Sequence, residues 1–393
     1  MKFLHLSDLH IGKAVNNVSM LAEQAYFFNQ VIAVVKAARP GAVIIAGDIY
    51  DRAVPGVEAV RVFDDFLTEL CGCGVSVFII SGNHDSPERL DFASRLLSGN
   101  RLFLYGAFDG SMKKIILNDE YGEINFWMLP FIKPASLRGR LTFFNDDASD
   151  ESDCESFDAA VRAVINSSDI DYGARNIIIS HQYYTKPGVT AVRSDSESNP
   201  IGGLDAVDAG IIEKFDYCAL GHLHGAQAVG RGNIFYGGSP IKYSVSECNH
   251  KKTIALVELK NKNELTIEKI PTAPIHELRA VRGRFNDILA EADKLSPPAD
   301  KNDYLYVYYT DEEEIADPYA RMRAAYPNLM HIRREGEFGI NLTSEDYADI
   351  ANENAAQKIS PYELFCDFFA EAAGNTMNER QAAIIRGLFG DEI

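Results

Sequence analysis

Five strand-sized apolar runs in this chain each stop at a cluster of Asp, Asn or His, and no other feature limits the fold as much. Residues 2–7 lead into Asp8-Leu9-His10, and residues 42–46 lead into Gly47-Asp48-Ile49-Tyr50-Asp51. Residues 75–80 end at Gly82-Asn83-His84-Asp85, residues 176–180 at His181, and residues 217–220 at Gly221-His222-Leu223-His224. A single Asp or His after a strand is usually a turn former. Five such loops with one chemistry are not explained by turns. In an open α/β sheet the carboxyl ends of the strands face one crevice, so residues distant in sequence can meet there.

The runs alternate with helical periods. Residues 20–38 carry apolar positions at Leu21, Phe27, Phe28, Val31, Val34 and Val35 and close at Arg39-Pro40. Residues 57–70 repeat the pattern, and residues 87–97 predict a third helix with Pro at its start. Strand–helix alternation of this length implies βαβ units and a largely parallel sheet. Later segments (102–104, 114–117, 123–129, 234–236, 253–259 and 265–270) read as strands, and the pattern predicts an α/β two-sheet sandwich through residue 273. Pro271 and Pro274 mark a boundary, after which strand and helix segments through residue 335 predict a compact α+β domain. Residues 336–393 read as an acidic linker and two short helices. The first starts at the capping box Ser360-Pro361-Tyr362-Glu363 and shows Leu364, Phe365, Phe368 and Phe369.

Charge and cysteine use narrow the class. The formal charge is −19, which argues against coating nucleic acid by bulk attraction. The charge is uneven: the last 59 residues hold twelve acidic and three basic side chains. Residues 146–158 hold seven carboxylates and no cation, so the remainder leaves room for a local phosphate-binding face. Six scattered cysteines suggest no disulfide framework. No run approaches the ~20 apolar residues of a membrane span, and no signal-peptide core opens the sequence, which predicts a cytoplasmic protein.

The strand-end side chains form a coherent donor set. Asp8, His10, Asp48, Asn83, His181, His222 and His224 offer two carboxylates, one amide and four imidazoles without a thiolate. Such donors suit manganese or iron better than structural zinc. Seven are more than one ion needs, and they suffice for two ions about 3.5–4 Å apart around a shared carboxylate.

The pattern D-x-H, G-D-x-x-D, G-N-H-D, H and G-H-x-H resembles the calcineurin-like metallophosphoesterases over roughly residues 1–270. The resemblance implies their two-sheet sandwich flanked by helices. It places one metal on Asp8, His10 and His224 and the other on Asn83, His181 and His222, with Asp48 bridging. It makes His84 the residue that contacts the phosphate and helps the leaving oxygen depart, and Asp51 a candidate to accept a hydrogen bond from His84 and fix its tautomer. Asp85 reads better as a helix-start or supporting carboxylate.

Wider segments are similar to the bacterial SbcD family of double-strand-break repair nucleases. They include Phe3-Leu4-His5-Leu6-Ser7-Asp8, Gly202-Gly203-Leu204-Asp205, Gly237-Gly238-Ser239-Pro240-Ile241-Lys242-Tyr243-Ser244 and the Ser360 helix start. That resemblance implies a manganese-dependent nuclease, a 3′→5′ exonuclease on duplex DNA and an endonuclease on single strands and hairpins. It implies a homodimer working with an SbcC-type ABC ATPase that carries a coiled coil. Residues 274–335 would be a DNA-contacting capping domain, and the tail helices would dock the ATPase. Lys13, Arg52, Arg89, Lys186, Arg193, Lys242, Lys251 and Lys252 are the cations that could meet DNA. The archaeal and eukaryotic relatives usually carry His where this chain has Asp51. The alternatives are a metallophosphatase or phosphodiesterase acting on nucleotides or phosphoproteins with the same metals, and a scaffold that has lost catalysis. The intact donor set opposes the scaffold.

Overall fold

The computed structural model describes residues 1–137, 156–186, 193–197, 205–292, 294 and 301–335, with six residues of the tail (366, 369, 377 and 380–382). Strand β1 (Lys2–Leu6) lies inside a six-stranded sheet ordered Leu265–Pro271, Thr253–Leu259, β1, Ala42–Ala46, Ser76–Ile80 and Leu102–Tyr105. The four strands from β1 onward run parallel. The two late strands close the other edge antiparallel. Helices α1 (Leu21–Ala38) and α2 (Val57–Gly72) are the crossovers between the first three parallel strands.

Parity along the strands explains why these runs are apolar throughout. Successive side chains point to opposite faces. Val43, Ile45, Val77 and Ile79 pack against Phe27, Phe28, Val31, Phe63 and Phe66 of the helices. Ala42, Ile44, Phe78 and Ile80 turn the other way and join Phe126, Ile177 and Ile179 of a second sheet. Both layers interlock through aromatic stacks, Phe28 on Phe66 at 4.2 Å and Phe78 on Phe126 at 4.4 Å. A sheet covered on both faces needs apolar side chains at every position.

The second sheet also has six strands, ordered Gln227–Ala228, Ile234–Tyr236, Tyr217–Leu220, Arg175–Ser180, Gly122–Leu129 and Lys113–Asp119. Its central four strands are parallel. The expected two-sheet sandwich is therefore what forms. Arg175–Ser180 and Tyr217–Leu220 deliver His181 and Gly221-His222-Leu223-His224 to the same end as the first sheet's loops.

Past residue 273, strands Leu278–Gly283, Tyr304–Tyr309 and Leu329–Arg334 make a three-stranded sheet carrying helices Phe285–Ala292 and Pro318–Ala325. Residues Met1–Tyr308 and Glu314–Ile332 form one compact unit, so most of this segment packs on the sandwich. Leu278, Tyr304, Tyr306 and Met330 cluster with Val15, Met20, Ile241 and Tyr243. The buried Glu23 carboxylate of α1 accepts from the His276 ring at 2.7 Å and from the Ile275 amide at 2.8 Å. The second unit, Tyr309–Glu313 with Arg333–Ile393, lies mostly outside the described residues, as do the expected acidic linker and nearly all of the tail helices.

One helix differs from expectation. The period over residues 87–97 predicts a single helix, but the structure breaks it into Pro87–Leu90 and Ser94–Leu97. The Asp91 carboxylate accepts the Gly106 amide at 2.9 Å, and Ala93 enters the left-handed region at φ 60°.

Candidate metal centre

Each donor loop begins where a buried strand runs out, and the loops approach closely enough to require glycine. A Cβ at Gly82 would fall on the Asp48 carboxylate, and one at Gly221 would fall on the Ala46 carbonyl and the His181 ring. Asp8, His10, Asp48 and His222 all hold positive φ, at 52°, 44°, 51° and 103°. Side chains other than glycine seldom tolerate this region, and such strain concentrates at functional sites.

The seven expected donors converge. The His181 Nε2 lies 3.3 Å from Asp48 Oδ2, and His10 Nε2 lies 3.6 Å from that same oxygen. His224 Nε2 is 3.1 Å from His10 Nε2 on one side. On the other side Asn83 Oδ1 sits 3.2 Å from His181 Nε2 and 3.1 Å from His222 Nδ1. Asp8 Oδ1 is 3.9 Å from His181 Nε2 and also accepts the His222 amide at 2.8 Å. Asp48 Oδ1 accepts the His84 amide at 2.9 Å, which leaves Oδ2 central to both halves.

The donor set fits divalent cations. Asp8 Oδ2 is buried among these donors without a hydrogen-bond partner, although burying an unpaired polar atom costs free energy. Two imidazole nitrogens 3.1 Å apart need a cation or a proton between their lone pairs. Among the described residues, Asp8, His10 and His224 form one compact donor group and Asp8, Asp48 and His181 another.

Electrostatics separates the imidazoles. Burial pushes His222 down to about 3 and His10 well below its usual value, so both are neutral donors. Burial also opposes a charge on His181, but the Asp48 carboxylate outweighs it and lifts that ring to about 9. Burial would raise Asp48; His181 overcomes it and holds the carboxyl well below the carboxylate range. Asp8 shifts upward because burial dominates there.

His84 stands beside this cluster, half-buried, with its ring edge-on to His10 at 4.8 Å. Its Nδ1 lies 3.0 Å from the main-chain carbonyl of Asp51. The expected partner residue is thus in place, but the atom differs. The Asp51 carboxylate is turned to Lys13 at 2.9 Å, with Arg52 at 3.6 Å. A bond from Nδ1–H to a carbonyl fixes the tautomer as a carboxylate would, and leaves Nε2 to exchange a proton. Asp85 supports the loops: its carboxylate accepts the amides of Ile49, Tyr50 and Gly82 at 2.9–3.1 Å.

The residues behind the donors escaped the sequence reading. Ser196 and Glu247 reach His224 Nδ1, Glu197 accepts its amide at 2.7 Å, and Asp205 lies 3.9 Å from His222 Nε2. His181 Nδ1 bonds the Ala46 carbonyl at 2.7 Å. Ser196, Glu197 and Asp205 lie in turns or bends and Glu247 ends the short 3-10 helix Val245–Glu247, where periodicity carries no signal. Several cations considered for DNA are also committed elsewhere: Lys242 to Glu277 at 2.6 Å, Lys252 to buried Glu247, and Lys186 to Glu213. Arg193 packs on the Tyr183 ring at 3.6 Å and lies 3.6 Å from Asp205. Arg52, Arg89 and Lys251 are exposed.

Comparison with known proteins agrees with this geometry. Residues 1–226 match the calcineurin-like phosphoesterase family, and residues 274–373 match the SbcD C-terminal family, described as a type 5 capsule protein repressor C-terminal domain. The SbcD component of the SbcCD nuclease of Staphylococcus epidermidis is 30% identical over 334 residues, 84% of each chain. The Staphylococcus saprophyticus protein of the same name is 28% identical over 387 residues, 97% of this chain and 96% of that one. A solved dimetal phosphatase from Danio rerio is 14% identical, covers 70% of this chain and 97% of its own, and has a TM-score of 0.38, too loose a superposition to carry an argument. With the phosphoesterase match spanning more than half its length and the SbcD likeness running on through the second segment, the chain belongs to the calcineurin-like phosphoesterases, in their SbcD branch.

Proposed function

We propose that this chain is the nuclease subunit of an SbcCD-type complex, a metal-dependent phosphodiesterase on DNA. It acts as a 3′→5′ exonuclease on double-stranded ends and as an endonuclease on single strands and hairpins. The observation that carries the reading is the meeting of Asp8, His10, Asp48, Asn83, His181, His222 and His224 in one cluster, with His10 and His181 on the same Asp48 oxygen. Asp8, His10 and His224 would hold one cation, Asn83, His181 and His222 the other, and Asp48 both. Oxygen and imidazole donors without thiolate favour Mn2+. Two such ions clamp a phosphoryl group and lower the pKa of a bound water.

The chain's own residues do the rest. The strained loops at Asp8, His10 and Asp48 hold their donors before any substrate arrives, so no ordering is left for the reaction step. His84, fixed through Nδ1 by the Asp51 carbonyl, presents Nε2 as general acid to the departing 3′ oxygen. The segment after residue 273 packs beside Tyr243, whose ring lies 5.7 Å from His10 and 5.8 Å from His224, and would cap the DNA over the donors. The tail would dock an SbcC-type ABC ATPase at the base of its coiled coil. Val57 and Val60 on α2, with Phe92 and Leu96, are exposed and would join a second copy into a homodimer within the heterotetramer. Among the described residues no helix is long and apolar enough to cross a membrane.

The test is Mn2+-dependent digestion of end-labelled duplex DNA beside a nucleotide monoester, with and without Asp48→Ala. Shortening of the DNA by wild type alone, with the monoester spared, supports the reading. Hydrolysis of the monoester with intact DNA would move the assignment to a nucleotide phosphatase.

A further inference from the structure

Behind His224 lies a closed ring of contacts that the proposed metal chemistry does not use directly. The His224 Nδ1 is 2.7 Å from Ser196 Oγ and 3.3 Å from Glu247 Oε1, and Ser196 donates to that carboxylate oxygen. A hydroxyl that donates to Glu247 accepts from His224, so Nδ1 carries the proton and Nε2 keeps its lone pair toward His10. Glu247 is fully buried. Its second oxygen accepts from Ser239 at 3.2 Å and from the Lys252 ammonium. Lys252 also donates to Ser239 Oγ at 2.7 Å and to the His224 carbonyl at 3.0 Å. These three bonds use all three protons of an ammonium. Ring and main chain of one residue are therefore gripped by one buried ion pair.

A pair of apolar side chains of similar volume would fill this space without desolvating two charges. What an apolar pair could not do is hold His224 in one tautomer and one orientation. We propose that Glu247 is a positioning residue for His224: through Ser196 and Lys252 it sets the strength of the cation site built from Asp8, His10 and His224, and leaves the other site alone. This rests on the reading of the cluster as a two-cation centre. Carboxylates behind a metal-bound imidazole commonly raise ligand basicity and restrict the ring.

The test titrates Mn2+ alone into the full chain, by calorimetry with free Mn2+ followed by electron paramagnetic resonance, so that no DNA cleavage is needed. The decisive variant is the double substitution Glu247→Gln with Lys252→Met, which leaves no lone buried charge. One of the two Mn2+ affinities should fall about 10–100-fold while the other stays, with the metal-free melting transition retained. Ser196→Ala removes one hydroxyl and should weaken the same site by a smaller factor, about 3–10-fold. Unchanged affinities in the folded double variant, or equal weakening of both sites, would overturn the assignment. Should the double variant not fold, Ser196→Ala decides, and an unaltered isotherm there overturns it. A wild-type chain that takes up no Mn2+ would overturn the two-cation reading itself, and this assignment with it.

Discussion

Filling the metal centre should expel a proton from His181. The metal-free ring is lifted to about 9 by Asp48 against the opposing effect of burial, so at neutral pH it is an imidazolium. A cation needs the neutral ring, and below pH 9 the proton competes with it. At pH 7 the competition spans about two units, a factor of about 100 in affinity or about 3 kcal/mol. His10 and His222 are already neutral there and add nothing. Apparent Mn2+ affinity should rise about tenfold per unit between pH 6.5 and 8.5 and level off near 9. Calorimetry in two buffers of different ionisation enthalpy should report about one proton released at this site. The same pair makes the opposite demand on stability. A folded pKa above the unfolded 6.5 gives a contribution fully present below 6.5 and lost as pH rises through 9, here about 3 kcal/mol. Chelated protein should melt progressively lower across that window. Equal affinities at pH 6.5 and 8.5, with no buffer dependence of the heat, would refute the reasoning.

Other perturbations separate chemistry from scaffolding. His84→Gln should leave Mn2+ uptake intact and lower DNA turnover by roughly 10²–10⁴-fold, measured under single-turnover conditions. Gly82→Ala drives a Cβ into the Asp48 carboxylate, so it should weaken Mn2+ binding more than it lowers the melting temperature, as paired titration and melts would show. Phe78→Ala removes the ring stacked on Phe126 between the sheets and should cost about 3–5 kcal/mol in urea unfolding. Deletion of residues after 355 should preserve cleavage by the isolated subunit and abolish capture of the ATPase, checked by co-purification.

The architecture was legible wherever one physical rule acted alone. Val43, Ile44 and Ile45 must all be apolar in a sheet covered on both faces, and the chain must leave that sheet where polar residues begin, at Asp48. The same change of composition marks Asp8, Asn83, His181 and His222, so the side chains that converge could be located before their geometry was known. Where two rules compete, the reading slips. Residues 87–97 carry a helical period, yet the Asp91 carboxylate is drawn to Gly106 and breaks it. Asp51 is next to His84 as expected, but Lys13 takes the carboxylate and leaves the carbonyl for the ring. Lys242 and Lys252 look like surface cations in a row of letters. Only burial reveals their partners, Glu277 and Glu247, because ion pairing leaves no periodic trace.

The placement of β1 has a consequence for synthesis. It is hydrogen-bonded on one side to Ala42–Ala46 and on the other to Thr253–Leu259, whose residues leave the ribosome some 250 positions later. An unfinished chain thus presents an open sheet edge, and before residue 181 it lacks three of the four imidazoles that would hold the proposed cations. Cutting power arrives only when the sandwich is nearly complete. A prematurely stopped translation product should therefore lack nuclease activity.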